Sequence, residues 1–153
     1  MKRFGVFQVD HLNYAISLQQ IKKIIQDAET FLLPRLPRAV SSVLVDEQQL
    51  VPVLDLGLLC GAKSITDPTS PTYQVLVESE YGTVALPAAL NGKIVTEKKG
   101  ILSRAAESKM SWMTREFTYQ NIKYKILDIN FLAVELTQNF WRNQSDTSGA
   151  RRH

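Results

Sequence analysis

Val53-Leu54-Asp55-Leu56-Gly57-Leu58-Leu59 has an echo 73 positions later, in Ile126-Leu127-Asp128-Ile129-Asn130-Phe131-Leu132. Each string is an apolar strand that ends in Leu-Asp and passes into spacing suited to a helical turn. An aspartate at that junction accepts from the free N–H groups of the first turn. Asp55 and Asp128 are therefore read as twin helix caps and not as a paired acid and base. A second echo runs in the same order at an offset of 70. Val75 through Pro87 repeats the strand, polar turn and strand of Gly5 through Ser17, so that Ala15-Ile16 falls on Ala85-Leu86 and Lys23-Ile24 falls on Lys93-Ile94. Two echoes at nearly one offset predict a duplication. Strands this short and close predict small barrels, not a βαβ sheet.

Outward from these strings, Phe4–Val9 and Tyr14-Ala15-Ile16 read as a hairpin around Asp10-His11-Leu12-Asn13. Ser17 is read as capping a short helical turn through Leu18, Ile21, Ile24 and Ile25. Val40–Val45 and Leu50–Leu54 form a strand pair around Asp46-Glu47-Gln48-Gln49, after an irregular passage marked by Pro34 and Pro37. Ser64–Thr72, with Pro68 and Pro71, reads as a linker between the halves. Ile129, Leu132, Ala133, Leu136 and Phe140 keep a helical period after Asp128, and Ile101, Ala105 and Met113 permit a helix within Glu97–Glu116. Residues 4–140 thus read as one domain of two intertwined barrel subdomains, followed by a disordered polar tail over 141–153.

Composition narrows the function. At 44% hydrophobic and 22% charged residues the chain has the balance of a folded domain and not of a disordered one. No apolar run approaches the ~18 residues of a membrane span. Met1-Lys2-Arg3-Phe4 leads straight into an alternating pattern, which predicts no signal peptide and a cytoplasmic protein. The net charge of +3 sits at the ends, since Lys2, Arg3, Arg151 and Arg152 are four of the 18 basic residues. The remainder has 18 − 4 = 14 basic against 15 acidic residues, so no concentrated stripe for nucleic acid is expected.

The sequence offers little for catalysis. Two histidines, His11 and His153, and one cysteine, Cys60, cannot assemble a His/Cys metal site. Cys60 and His11 are the one nucleophile pair available, and nothing flanking Cys60 suggests an activated thiolate. Gly57-Leu58-Leu59-Cys60-Gly61-Ala62-Lys63-Ser64 has the wrong glycine spacing for a phosphate loop, and Ala62 interrupts Gly-Lys. No enzyme, no metal and no cofactor are expected. A small-barrel module for ligands or nucleic acid is the alternative. It would need aromatic and basic residues alternating on one strand face, and Lys123-Tyr124-Lys125 is the only fragment of that kind.

One family gathers these pieces. Phe4-Gly5-Val6-Phe7, Tyr14-Ala15-Ile16 with Ile21 and Ile24, Leu33-Pro34 with Pro37, Val51-Pro52-Val53-Leu54-Asp55-Leu56, Gln74–Val77, Val84-Ala85-Leu86 and Ile126–Leu136 occur in the order of the CheW-like domain. The chain resembles that family from about Phe4 to Leu136, and the Val-Pro string is the most specific match. The resemblance implies a mainly β fold: two five-stranded barrels of SH3/OB type, with strands exchanged around a shared apolar core, plus a C-terminal helix. It implies a non-catalytic scaffold that joins the cytoplasmic tip of a chemoreceptor to the regulatory domain of a CheA-type histidine kinase, without membrane insertion. On this chain the implied receptor-facing patch is Ile21, Lys23, Val43 and Glu47. Kinase contact would fall at exposed barrel ends, at Asp10 and Asn13 or at Glu80 and Gly82.

Two charges depart from the family pattern. Lys23 stands where the family often has Glu, and Glu47 where it usually has Arg; Gln48-Gln49 replaces its glycine turn. One reading is divergence on a solvated surface, where a charge pair contributes little. The other is a swapped pair that faces itself or one partner and selects by charge. For Ile21 and Val43 ordinary core packing is the competing reading.

Overall fold

The computed structural model describes residues 2–36, 39–59, 73–89, 92–105, 112–134 and 136. The described strands of the first half are β1 (Arg3–Val9), β2 (Leu12–Ser17), β3 (Ile21–Gln26), β4 (Thr30–Phe31), β5 (Val40–Asp46) and β6 (Gln49–Leu54), followed by the helical turn α1 (Leu56–Leu59). The second half repeats the order as β7 (Tyr73–Ser79), β8 (Gly82–Ala88), β9 (Lys93–Thr96), β10 (Ile101–Arg104), β11 (Arg115–Tyr119) and β12 (Ile122–Ile126). A second helix, α2, starts at residue 129.

The pairing exchanges the leading hairpins. One sheet runs β3-β7-β8-β6-β5-β4 and the other β10-β11-β12-β2-β1-β9. The first barrel therefore takes β7–β8 from the second half, and the second barrel takes β1–β2 from the first. Each sheet has six strands because one strand of a five-stranded barrel is bent and divided. β3 pairs with β7 while β4 pairs with β5; β9 pairs with β1 while β10 pairs with β11. The parallel contacts, β6 with β8 and β12 with β2, complete the correspondence.

Burial on both faces explains the exchange. Along β1, Phe4 and Val6 fill the second barrel while Phe7 and Val9 enter the core between the barrels. β2 does the same, Ala15 pointing into the barrel and Tyr14 and Ile16 into the junction. In β7 and β8, Leu76 and Ala85 fill the first barrel, and Val75, Val77, Val84 and Leu86 join the junction. Strands buried on both sides read as continuous apolar runs, and only a hairpin placed between two barrels is buried in that way. The junction is the largest of the three cores and also takes in Leu54, Leu56, Trp112, Leu127, Ile129 and Leu132.

The twin aspartates end equivalent strands. Leu58 N–H donates to Asp55 Oδ1 at 3.1 Å, and Phe131 N–H donates to Asp128 Oδ1 at 3.2 Å. Their own N–H groups donate to Ala39 and Trp112 carbonyls, both at 2.8 Å and again 73 positions apart.

Two local expectations are corrected. Ser17 caps no helix: a single 3-10 turn, Leu18–Gln20, is followed by the strand Ile21–Gln26. Ile21, Ile24 and Ile25 are β-branched and favour a pleated surface, and the ladder with β7 decides their conformation. Within Glu97–Glu116, Ile101 belongs to β10, Ala105 N–H bonds the Thr114 carbonyl, and neither Ala105 nor Met113 lies in a helix; residues 106–111 lie outside the described residues. Cys60, the linker 64–72, Phe140 and the tail 141–153 lie outside the described residues.

Candidate functional site

The β5–β6 turn is a tight two-residue loop whose central residues, Glu47 and Gln48, have φ of 50° and 66°. Such a turn follows the twist of the flanking strands but favours Asn and Gly, and neither is present. It holds Asp46 and Glu47 beside β3, where they meet Lys22 and Lys23. Lys23 Nζ lies 2.6 Å from Asp46 Oδ1 and 3.7 Å from Glu47 Oε1. Lys22 Nζ lies 3.1 Å from Glu47 Oε2 and 3.3 Å from Asp46 Oδ2. Each lysine thus bridges both carboxylates.

Strand alternation decides which of these charges is inside. Asp46 shares the face of Leu44, which lines the first barrel, and is only 8% exposed. Lys23 lies opposite Leu76, and Ile25, on the same face, packs on that barrel core. Lys23 and Asp46 therefore close one end of the barrel interior, and Glu47 projects beyond it at 66% side-chain exposure. The hydrogen bond from Lys23, helped by the nearby Lys22 ammonium, holds the Asp46 carboxyl below its ordinary pKa against the opposing effect of burial. The Lys22 ammonium is held above its ordinary value, first by Glu47 and then by Asp46.

Of the four receptor-facing candidates, Lys23 and Glu47 come together and the other two do not join them. Ile21 packs on the junction core and crowds Gly5. Val43 is buried, but on the opposite face of β5 from Leu44, opposite Phe31 and Pro52. Sequence reading missed Lys22 and Asp46. Their signal was the facing doublets, Lys-Lys and Asp-Glu, whose meeting depends on a fold-level approach of β3 to the β5–β6 turn.

The kinase-contact candidates lie on two hairpins. Asp10 is exposed at the β1–β2 turn with φ of 52°, 3.7 Å from His11 Nε2, and Asn13 lies within β2 opposite Gln8. Glu80 is anchored, its N–H donating to Asn130 Oδ1 on α2 at 2.9 Å, and Gly82 takes φ of 131° as Ser79 Oγ donates to its carbonyl. No hydrogen bond or ion pair among the described residues joins one hairpin's candidates to the other's.

Among the described residues no three His, Cys, Asp or Glu side chains could hold a metal ion, and no helix is long and apolar enough to cross a membrane. The aromatic–basic fragment divides across its strand. Tyr124 packs into the second barrel core, and Lys125 pairs with Glu116 at 2.9 Å on the other face. Tyr124 therefore offers no stacking platform beside those lysines.

Comparison with known proteins agrees with the architecture. The CheW-like domain family matches residues 3–115. The fold is similar to that of the scaffolding protein TtCheW from Thermoanaerobacter tengcongensis, with a TM-score of 0.70, 14% identity, and coverage of 86% of this chain and 91% of that one. No curated protein matches the sequence. The family match spans well over half of the chain, and the exchanged barrels underlie it: this chain belongs to the CheW-like domain family, a family of adaptors without catalytic activity.

Proposed function

We propose that this protein is a cytoplasmic scaffold coupling a chemoreceptor tip to the regulatory domain of a CheA-type histidine kinase. The observation that carries the reading is the family match over residues 3–115. On this reading the receptor-facing surface centres on Lys23 and Glu47, with Lys22 and Asp46 beside them, and Ile21 and Val43 support it from their separate positions. The family's charges are reversed here, and the reversed charges satisfy one another. A partner must then either present its own charges to Glu47 or displace part of the cluster. The turns at Asp10 and Asn13 and at Glu80 and Gly82 remain the proposed kinase contacts.

Pull-down of a CheA-type regulatory domain by the full chain tests the coupling role, and no binding at about 100 µM, a weak affinity by any interface standard, would sink it. Lys23→Glu and Glu47→Arg, singly and together, test the receptor patch. Losses of receptor binding that simply add would show that the two charges do not act as a pair.

A further inference from the structure

We infer that copies of this chain associate head to tail, a basic corner of the second barrel in one copy docking on an acidic corner of the first barrel in the next. The two barrels share a fold and differ in charge. Over the described residues of the second barrel (2–17, 92–105 and 112–127) nine basic residues stand against three acidic ones, with His11 neutral. Over those of the first (18–36, 39–59 and 73–89) three basic residues stand against seven acidic ones.

Register gathers part of each excess at one equivalent corner, where the bent strand of the barrel divides. In the second barrel Arg3 lies opposite Thr96 at the end of β9, and Glu97 N–H donates to the Lys2 carbonyl at 2.9 Å. Lys2 and Arg3 therefore border the 3-10 turn Glu97–Lys99, where Lys98 and Lys99 make the corner four cations against one acid. In the first barrel Tyr73 lies opposite Gln26, each 70 positions from its counterpart, and the segment that follows Gln26 carries Asp27 and Glu29. Lys2, Arg3, Lys98, Lys99, Asp27 and Glu29 are exposed, and no ion pair among the described residues engages any of them. The same corner is built with either sign, so folding does not dictate the charge there.

Charge complementarity selects the occupant. Each corner calls for a surface of opposite sign, and a second copy of this chain carries that surface at the equivalent place in its other barrel. Pairing about a two-fold axis through either corner would set like charges face to face, whereas head-to-tail docking sets cations on carboxylates. Shape agrees with charge: Lys2 and Arg3 line an open cavity with Ser17, Leu18 and Gln19, a concave seat for the exposed Asp27–Glu29 segment. Because the groups are exposed, the attraction is long-range and salt screens it.

Sedimentation velocity of the full chain at about 200 µM, in about 20 mM and about 500 mM sodium chloride, tests the inference. The expected result is a concentration-dependent rise above 17.3 kDa at low salt that high salt suppresses. One chain carrying Lys98→Glu with Lys99→Glu, and another carrying Asp27→Lys with Glu29→Lys, should each self-associate about tenfold more weakly or less still. An equimolar mixture of the two should regain association, because each then meets a corner of opposite sign. Arg115→Glu, a reversal on β11 away from the corner, should leave association within about twofold of wild type. All five substitutions are at exposed positions, and circular dichroism checks that the variants fold. A wild-type chain that stays monomeric at low salt, a self-association that salt does not weaken, or reversed chains that fail to regain association on mixing overturns the inference. So does an equal loss in Arg115→Glu, because overall charge and not the corner would then be responsible.

Discussion

Lys23 and Asp46 meet at 2.6 Å although β3 and β5 share no backbone ladder. The contact joins the first strand of the bent pair to the far hairpin of the same barrel. Its acid is almost wholly buried, so the pair belongs to the barrel's closure as well as to its surface.

That closure is sensitive to acid. The folded-state pKa of Asp46 is depressed, so its contribution is present above the ordinary value of 3.8 and is lost as pH falls through the folded value. Thermal melts from pH 7 down to about pH 2 should show stability falling past that point, and Asp46→Asn should flatten part of the fall. An acid limb of identical slope in both proteins would remove Asp46 from the explanation. Lys22 acts in the opposite window: its pKa is raised, so its contribution is present below 10.5 and is lost as pH rises through the folded value.

A buried side-chain hydrogen bond joins the exchanged hairpins across the junction core. Tyr14 Oη, fully buried on β2, donates to the Pro87 carbonyl on β8 at 2.8 Å. Tyr14→Phe leaves that carbonyl without this donor and should cost about 1–3 kcal/mol. Urea unfolding measures it as a lower midpoint at unchanged slope, and an unchanged midpoint would contradict the assignment.

The two-residue turns carry a removable strain. Glu47 and Gln48 in one barrel, and Gln120 and Asn121 in the other, all have positive φ. Gln48→Gly should raise stability by about 1 kcal/mol, since glycine takes this conformation without a Cβ clash. Asn121→Gly should raise it less, because asparagine already tolerates the left-handed region. Melting temperatures in the reverse order would count against the turn geometry.

Gly100 stands where β9 turns into β10. A Cβ there would lie 2.5 Å from the Phe117 ring and 2.5 Å from the Thr118 carbonyl oxygen. Gly100→Ala should therefore destabilise by about 1–3 kcal/mol through overpacking, read as a lower denaturant midpoint. A neutral result would mean that the bend relaxes freely.

Much of the fold was legible because both halves carry one pattern. Leu54-Asp55-Leu56 and Leu127-Asp128-Ile129 each place a capping carboxylate between a strand and an apolar turn, and local hydrogen bonding is sufficient for that. The spacing of Ile21, Ile24 and Ile25 fits one helical face, while the ladder to β7 that makes them a strand is non-local. The candidate site was half legible: Lys23 and Glu47 stood out against the family pattern, but nothing local identified Asp46 and Lys22 as their partners.

By itself the sequence determined the duplication, the β-rich class, the twin caps and the family, since these rest on apolar periodicity and short strings read within a few residues. Only the tertiary structure decided which hairpin crosses to which barrel, that Lys22 and Lys23 meet Asp46 and Glu47, and that Lys2 and Arg3 border the turn of Lys98 and Lys99. Those facts depend on strand register and on packing between residues distant in sequence. Alternation alone says that a strand has two faces, and only the assembled barrels say which one is covered.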